Sequence, residues 1–412
     1  MNLLFTVSHH GVSNVMKKLL FLAVFVCCLA LCAGEKFPKY IILFIGDGMA
    51  SPQRMVAEEF AVKSGYGKLA MNHLPFHATT RTASANSLVT DSAAAGTAIA
   101  CGEKTDNQRI GVGPDGKGNN VLLLNGKPYY HHGLLDQGYY KGGFYTPSDD
   151  SDFVNDISTM KAMGFNTLRK HIKVEPLRWY YHCDTLGMLV WQDMVSGGGH
   201  YRPSVITAPL VFGSHLKDDR YDKFAREDEQ ARKVWEQEAY DTVRTLYNCT
   251  CVCMWVPFNE GWGQFDSVRI CENIRRIDDS RTIDHASGWQ DQGYGDFRSL
   301  HVYFRPYRFR RDSKGRAVIL TEFGGYGMDT NTTSKKTFIY RRFRTKDELT
   351  RAIVRLYEKQ IIPARKKGLA ASIYTQVSDV EQEVNGLLSY DRKQVKVDVK
   401  EIARMSGDLM SV

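Results

Sequence analysis

Glu260 and Glu322 are the residues whose setting suggests chemistry. Glu260 lies in the run WVPFNEGWG at 255–263, and Glu322 closes AVILTE at 317–322, just ahead of Phe323-Gly324-Gly325. Each carboxylate follows an apolar β-type run, so two strands would deliver two acids to one place. A facing carboxylic acid and carboxylate are what cleavage of an acetal requires. One protonates the leaving oxygen and the other serves as nucleophile or base. Standing alone, each glutamate would instead be read as an ordinary salt-bridge partner for Arg or Lys.

Elements must hold the two acids in place, and from residue 119 the pattern supplies them. Eight β-type runs are expected at 129–135, 167–172, 188–193, 253–259, 282–288, 299–304, 317–322 and 370–376. Helical patterns fill most of the intervals, at 152–163, 176–186, 221–247, 265–277 and 346–367, with a last one at 397–405. The two connections flanking the sixth run look loop-like. Strands alternating with helices predict an α/β fold, a closed parallel (β/α)8 barrel of the TIM type. In such a barrel the site is built at the C-terminal ends of the strands. Those ends carry Arg169, His171, Asp193, Asn259, Glu260, Ser287, His301, Tyr303, Glu322 and Gln376. Trp191, Trp255, Trp262 and Trp289 accompany them, and a sugar needs both hydroxyl partners and ring faces. Packing is the alternative for any one of these tryptophans.

Composition agrees with a globular chain. Of 412 residues, 43% are hydrophobic and 24% charged, and the formal net charge of +8 is spread without a dense Lys/Arg block. No nucleic-acid partner is therefore expected. Near the N-terminus, Lys17 and Lys18 precede the apolar run 19–31, and small residues follow at Ala33 and Gly34. A basic start, about 13 apolar residues and a small-residue exit predict a secretory signal over 1–34 rather than a membrane span. The chain is thus expected to be exported, to a periplasm, to the extracellular space, or to a lipid anchor through Cys32. Cys249, Cys251 and Cys253 alternate, a spacing unlike zinc pairs. They read as strand thiols, with a disulfide to Cys271 or Cys183 as the alternative.

The segment 35–118 tells a different story. A short apolar run at 40–45 ends in Gly46-Asp47-Gly48-Met49, a tight turn that presents a carboxylate. Ser92 follows Asp91 and opens an Ala-rich helix in VTDSAAAGT. A serine at a helix N-terminus is placed to attack phosphorus, because free backbone N–H groups there favour anionic oxygens. FIGDGM and VTDSAAAGTAIACGEKT resemble the alkaline phosphatase superfamily over residues 38 to about 117. That resemblance implies Asp47 as a zinc and magnesium ligand and Ser92 as the nucleophile of a phosphomonoesterase. The family's remaining Asp and His ligands lie far downstream, whereas here the likeness stops near Lys117. One aspartate and one serine cannot hold two metal ions, so Ser92 as a helix N-cap and Asp47 as a turn residue are the alternatives.

The stretch 119–392 resembles the catalytic barrel of glycoside hydrolase family 2, which includes β-galactosidases, β-glucuronidases and β-mannosidases. The motifs that carry the resemblance include NGKPYYHHGLLDQGYY, GFNTLRKHIKVEPLRWYYHCDTLGMLVWQDM, WVPFNEGWGQ, IDHASGW, SLHVYF, ILTEFGG and YTQVSDVEQEVNGLLSYDR. It implies a retaining glycosidase that needs no cofactor and acts on a glycoside or oligosaccharide. Glu260 would be the acid/base, Glu322 the nucleophile, and Asn259 a ligand of the sugar 2-hydroxyl. Arg169, His171, Asp193, Trp289, His301 and Tyr303 would line the pocket. The two carboxyl groups are then expected roughly 5 Å apart. The jelly-roll and immunoglobulin-like domains that normally precede such a barrel have no counterpart here. An inactive fusion of two incomplete genes is thus a further reading, beside the zinc-dependent phosphatase.

Overall fold

The computed structural model describes residues 51–74, 82–101, 104–107, 112–114, 118–124, 127–209, 215–328 and 340–412. The expected signal and Asp47 lie outside these residues. The chain divides into two compact units, Met1–Ala78 and Thr79–Val412. The described part of the first unit holds a helix at Ser51–Lys63 and a 3-10 turn at Ala70–His73. Among the described residues no helix is long and apolar enough to cross a membrane.

The second unit is an α/β barrel. Its parallel strands are β1 (His131–Asp136), β2 (Thr167–Lys170), β3 (Leu189–Asp193), β4 (Val252–Val256), β5 (Thr282–Ile283), β6 (Phe297–Val302), β7 (Ala317–Gly324) and β8 (Leu369–Thr375). They form one sheet in the order β5-β4-β3-β2-β1-β8-β7-β6. Only the seam between β5 and β6 lacks a backbone ladder, and a side chain bridges it. The Asp296 carboxylate accepts the Ile283 N–H at 3.1 Å and is held by Arg275 at 2.7 Å. The barrel is nearly closed, as the alternation of elements predicts.

Caps and prolines set several element ends. Helix α1 (Asp150–Ala162) starts where the Asp149 side chain accepts the Ser151 N–H at 2.7 Å, with acids in its first turn and Lys161 in its last. Both arrangements offset the helix dipole and its unpaired N–H groups. Helix α2 (Leu177–Leu186) follows Pro176. Helix α3 (Glu229–Leu246) begins later than its pattern predicts, because Asp228 caps Ala231 at 3.0 Å and ends the irregular stretch before it. Helix α4 (Ser267–Ile277) precedes β5, while no helix lies on either side of β6. Strand β4 stops at Val256 because Pro257 has no N–H for the ladder. Asn259 and Glu260 therefore stand on the loop beyond the strand, although the pattern extends it to 259.

The strands are largely buried on both faces, as a sheet enclosed by helices requires, and they carry buried polar residues such as Arg169 and Lys170 among the apolar ones. Trp191, Met254, Phe297, Ala317, Ile319 and Ile373 fill the barrel interior. The short antiparallel sheet of Val112–Pro114, Asn120–Leu124 and Lys127–Pro128 joins that interior through Val112, Val121 and Leu122. Val112, upstream of the expected boundary at residue 118, is thus fully enclosed in the barrel's own cluster. The thiols of Cys183, Cys249, Cys251, Cys253 and Cys271 are all free.

Candidate active site

At the C-terminal end of the barrel, loops and a bulge bring the two glutamates together. Glu260 takes φ +52°, a left-handed backbone that costs a non-glycine residue roughly 1–2 kcal/mol. The conformation is pinned by its N–H, donated to the Ser287 carbonyl at 2.9 Å, and by a parallel bridge between Asn259 and Ser287. Glu322 sits within β7, where the pairing with β6 shifts register between Leu320 and Glu322. Simple alternation would send Thr321 and Glu322 to opposite faces. The bulge turns both side chains into the polar network at the top of the barrel.

One carboxylate oxygen of each glutamate and Nδ1 of His301 all lie within 4.8 Å of one another. His301 Nδ1 is 2.7 Å from Glu260 Oε1 and 3.5 Å from Glu322 Oε2. Arg169 donates to Glu322 Oε1 at 3.2 Å, and the Tyr303 hydroxyl donates to Oε2 of the same carboxylate. Tyr303 is held in turn by Thr375 Oγ1 at 2.9 Å and by the Tyr340 ring, stacked at 4.0 Å and 4°. Below, hydroxyls continue the network. Ser287 Oγ is 3.1 Å from His301 Nε2 and 3.0 Å from Thr321 Oγ1, which lies 2.7 Å from Ser299 Oγ.

Arg169 organises this floor. It meets Asp193 through two hydrogen bonds of 3.0 Å and donates to Asn259 Oδ1 at 2.8 Å. Asp193 also accepts from His171 at 3.0 Å and from the Ile172 N–H at 3.3 Å. Neither Arg169 nor Asp193 reaches solvent beyond 1%. The polar atoms of both are spent on neighbouring side chains. Asn259, His171 and His301 are nearly enclosed, while Trp289 is half-buried and anchored by its Nε1–H on the Glu260 carbonyl at 2.8 Å.

Burial raises the carboxyls of both Glu260 and Glu322 above their usual range, to different degrees. Glu260 is pushed well up, first by burial and then by the Glu322 charge, while the Arg169 guanidinium pulls the other way. For Glu322 burial again raises the value, but Arg169, His171 and Tyr303 oppose it. Two acids this close cannot both ionise freely, and the better supported one keeps the charge. His301 is held neutral by burial and by the Arg169 and His171 charges.

The four tryptophans separate. Trp191 and Trp255 are fully buried core residues, their indole N–H groups bonded to His131 at 3.0 Å and Asp278 at 2.8 Å. Trp262 and Trp289 keep partial exposure. Thr321 and Ser299 join the network from the runs ILTEFGG and SLHVYF, which give them no role, and Tyr340 joins it without a signal in the sequence. Tyr340 lies 18 positions after Glu322 in an unremarkable aromatic and basic run, and no spacing rule places it against Tyr303.

Ser92 opens the helix Ser92–Cys101 and is exposed. Beside it, Asp91 Oδ1 accepts the Ala94 N–H at 2.8 Å, so that carboxylate caps the helix. Among the described residues, the one group of three metal-ligating side chains is Glu260, His301 and Glu322. The residues around Ser92 do not fit a two-zinc centre.

Comparison with known proteins follows this division. The family described as glycosyl hydrolases family 2, TIM barrel domain, matches residues 117–395, and the alkaline phosphatase family matches residues 38–128. An alkaline phosphatase of Schizosaccharomyces pombe is 40% identical over 79 residues, 18% of this chain and 14% of that protein. A β-galactosidase of Klebsiella pneumoniae is 26% identical over 176 residues, 42% of this chain and 15% of that protein. The chain thus spans a small part of the length of both. A solved β-D-glucuronidase from Dictyoglomus thermophilum has a TM-score of 0.53 at 16% identity, covering 74% of this chain and 56% of its own. That likeness is one of fold.

Proposed function

Because the chain belongs to glycoside hydrolase family 2 through its TIM barrel domain at residues 117–395, we propose that it hydrolyses a β-glycoside by double displacement with retention. The observation that carries the retaining reading is the closeness of the carboxylates, one oxygen of each lying within 4.8 Å of the other. Retaining pairs lie about 5–5.5 Å apart, whereas inverting pairs need roughly 6.5–9.5 Å to admit a water. The β-galactosidase and β-glucuronidase relatives support a β-linked glycoside as the substrate class.

In this reading Glu322 attacks the anomeric carbon while Glu260 gives its proton to the departing glycosidic oxygen. A glycosyl ester on Glu322 results. Glu260, now ionised, takes a proton from water, whose oxygen displaces Glu322 and releases the sugar. Arg169 and Tyr303 keep Glu322 charged and aimed. Burial keeps Glu260 protonated for the first step. Neutral His301 suits both states of Glu260, accepting a hydrogen bond from the acid and donating one to the carboxylate. Asn259, fixed by Arg169, offers its amide to the sugar 2-hydroxyl, and His171, Trp289 and Tyr303 line the pocket. The basic and apolar start of the sequence supports export.

The test is an aryl β-glycoside panel followed by proton NMR of the first sugar released. A β-anomer appearing first is expected, with Glu322→Gln and Glu260→Gln each losing at least 100-fold in rate. Release of the α-anomer would overturn the retaining mechanism, and an undiminished rate in Glu322→Gln would overturn the assignment.

A further inference from the structure

The loop that follows β1 has a construction that neither the catalytic pair nor the core explains. Its sequence from 137 is QGYYKGGFY. Tyr140 and Phe144 exchange backbone hydrogen bonds of 2.8 and 2.9 Å, closing a tight turn. Within it, a Cβ on Gly143 would lie 1.9 Å from the Thr146 carbonyl oxygen, so the turn admits no side chain there. Phe144 stands at φ +53°, a region that a bulky residue enters only under strain.

The loop is also firmly anchored. Lys173, itself nearly buried, donates to the carbonyls of Gly138 and Tyr145. Its ammonium pairs with Glu175 at 2.8 Å, and Glu175 with Lys170 at 2.9 Å. Lys170 in turn reaches Asp136, the last residue of β1, at 2.7 Å. Strain and a buried charge cluster normally accompany side chains that are packed away. Here they present rings to solvent instead: Phe144 is 59% exposed and Tyr145 57%. Tyr139 completes the group, its ring 4.9 Å from that of Tyr145 and its hydroxyl donating to the Tyr145 hydroxyl at 3.0 Å.

The position of these rings identifies what they meet. All eight strands are parallel, so the loop after β1 rises from the same end of the barrel as Glu260 and Glu322. A chain of contacts joins it to the site. Gln137 donates to Gln376 at 2.9 Å, Gln376 follows Thr375, and Thr375 holds the Tyr303 hydroxyl. Rings edged with hydroxyls suit a pyranose, whose C–H face packs on an aromatic and whose rim takes hydrogen bonds. Three rings are also too few for a protein partner, which would bury roughly 800 Å² per side.

We propose that Tyr139, Phe144 and Tyr145 form a platform that stacks a sugar residue of the substrate beyond the one held at Glu260 and Glu322, making an oligosaccharide the preferred substrate. This rests on the glycosidase reading, and the experiment separates the two. With the full chain, kcat/KM is measured on an aryl β-glycoside and on a β-linked tetrasaccharide of the same sugar. Tyr145→Ala is expected to lower the ratio of tetrasaccharide to aryl glycoside about tenfold, mostly through KM. Tyr145→Phe, which keeps the ring, is expected to restore most of it. A second measurement titrates the tetrasaccharide calorimetrically into Glu322→Gln with and without Tyr145→Ala, where a matching loss of affinity is expected. An unchanged ratio together with an unchanged affinity overturns the platform. Absence of turnover on every glycoside would instead sink the glycosidase reading, while the titration would still report on the rings.

Discussion

Asp284 marks the price of a polar barrel interior. It is fully buried just past β5. Burial pushes its acid up to about 6, against the pull of His285, Arg169 and the Ser299 hydroxyl. In the unfolded chain it ionises near 3.8. The folded state therefore binds this proton more tightly. Below the unfolded value the group costs nothing, and the cost grows as pH rises to 6 and beyond, to at most about 3 kcal/mol. Asp284→Asn should match the parent in thermal unfolding at pH 4 and exceed it at pH 8. An equal gap at both pH values would refute the account. At this scale the pairing of the two glutamates was legible, because Asn259-Glu260 and Thr321-Glu322 sit inside distinctive motifs. The enclosure of Arg169 and Asp193 was not, since sequence names the charges but not which atoms their neighbours consume. Trp191 and Trp255 take the packing alternative, which sequence could not assign to particular residues because a tryptophan near a strand end reads alike whether it faces the pocket or the core.

Among the elements, periodicity located every barrel strand and most helices, and local chemistry moved their ends. The pattern 346–367 is a single helical run. In the structure it is helix α5 (Lys346–Leu356), a π turn at Tyr357–Ile361, and a short helix at Ile362–Lys366. Pro363 supplies the reason, because it has no N–H to continue the α ladder. The bulge in β7 was equally hidden, although it turns Thr321 and Glu322 inward together. Gly133 in β1 is a point where two strands meet too closely for a side chain. A Cβ there would stand 2.7 Å from the Thr167 carbonyl oxygen and 2.5 Å from Ile373 Cδ1. Gly133→Ala should cost about 1–3 kcal/mol through this overpacking. Denaturant unfolding would show it as a lower midpoint with an unchanged slope, and an unshifted midpoint would contradict the contact.

For the whole molecule, the barrel's inner cluster extends upstream of where the change of pattern suggested. Val112, Val121 and Leu122 are buried with the interior residues of β6, β7 and β8. Burying each such side chain stabilises by about 1.5–3 kcal/mol, so a chain starting at residue 125 should be markedly less stable than one starting at residue 79. Comparing their unfolding midpoints would check this, and equal midpoints would show the antiparallel sheet to be dispensable. From sequence alone came the fold class, the carboxylate pair and the order of elements, because hydrophobic period and short motifs are local properties. The final helix α6 (Val399–Met410) and the Asp398 cap at its start belong to that local grammar too. Tertiary structure alone decided that the carboxylates approach within 4.8 Å, that Tyr340 braces Tyr303, and that the loop after β1 holds its rings in solvent. Each of these depends on residues far apart in the chain, whose distance is set by barrel closure and register rather than by any spacing in the sequence.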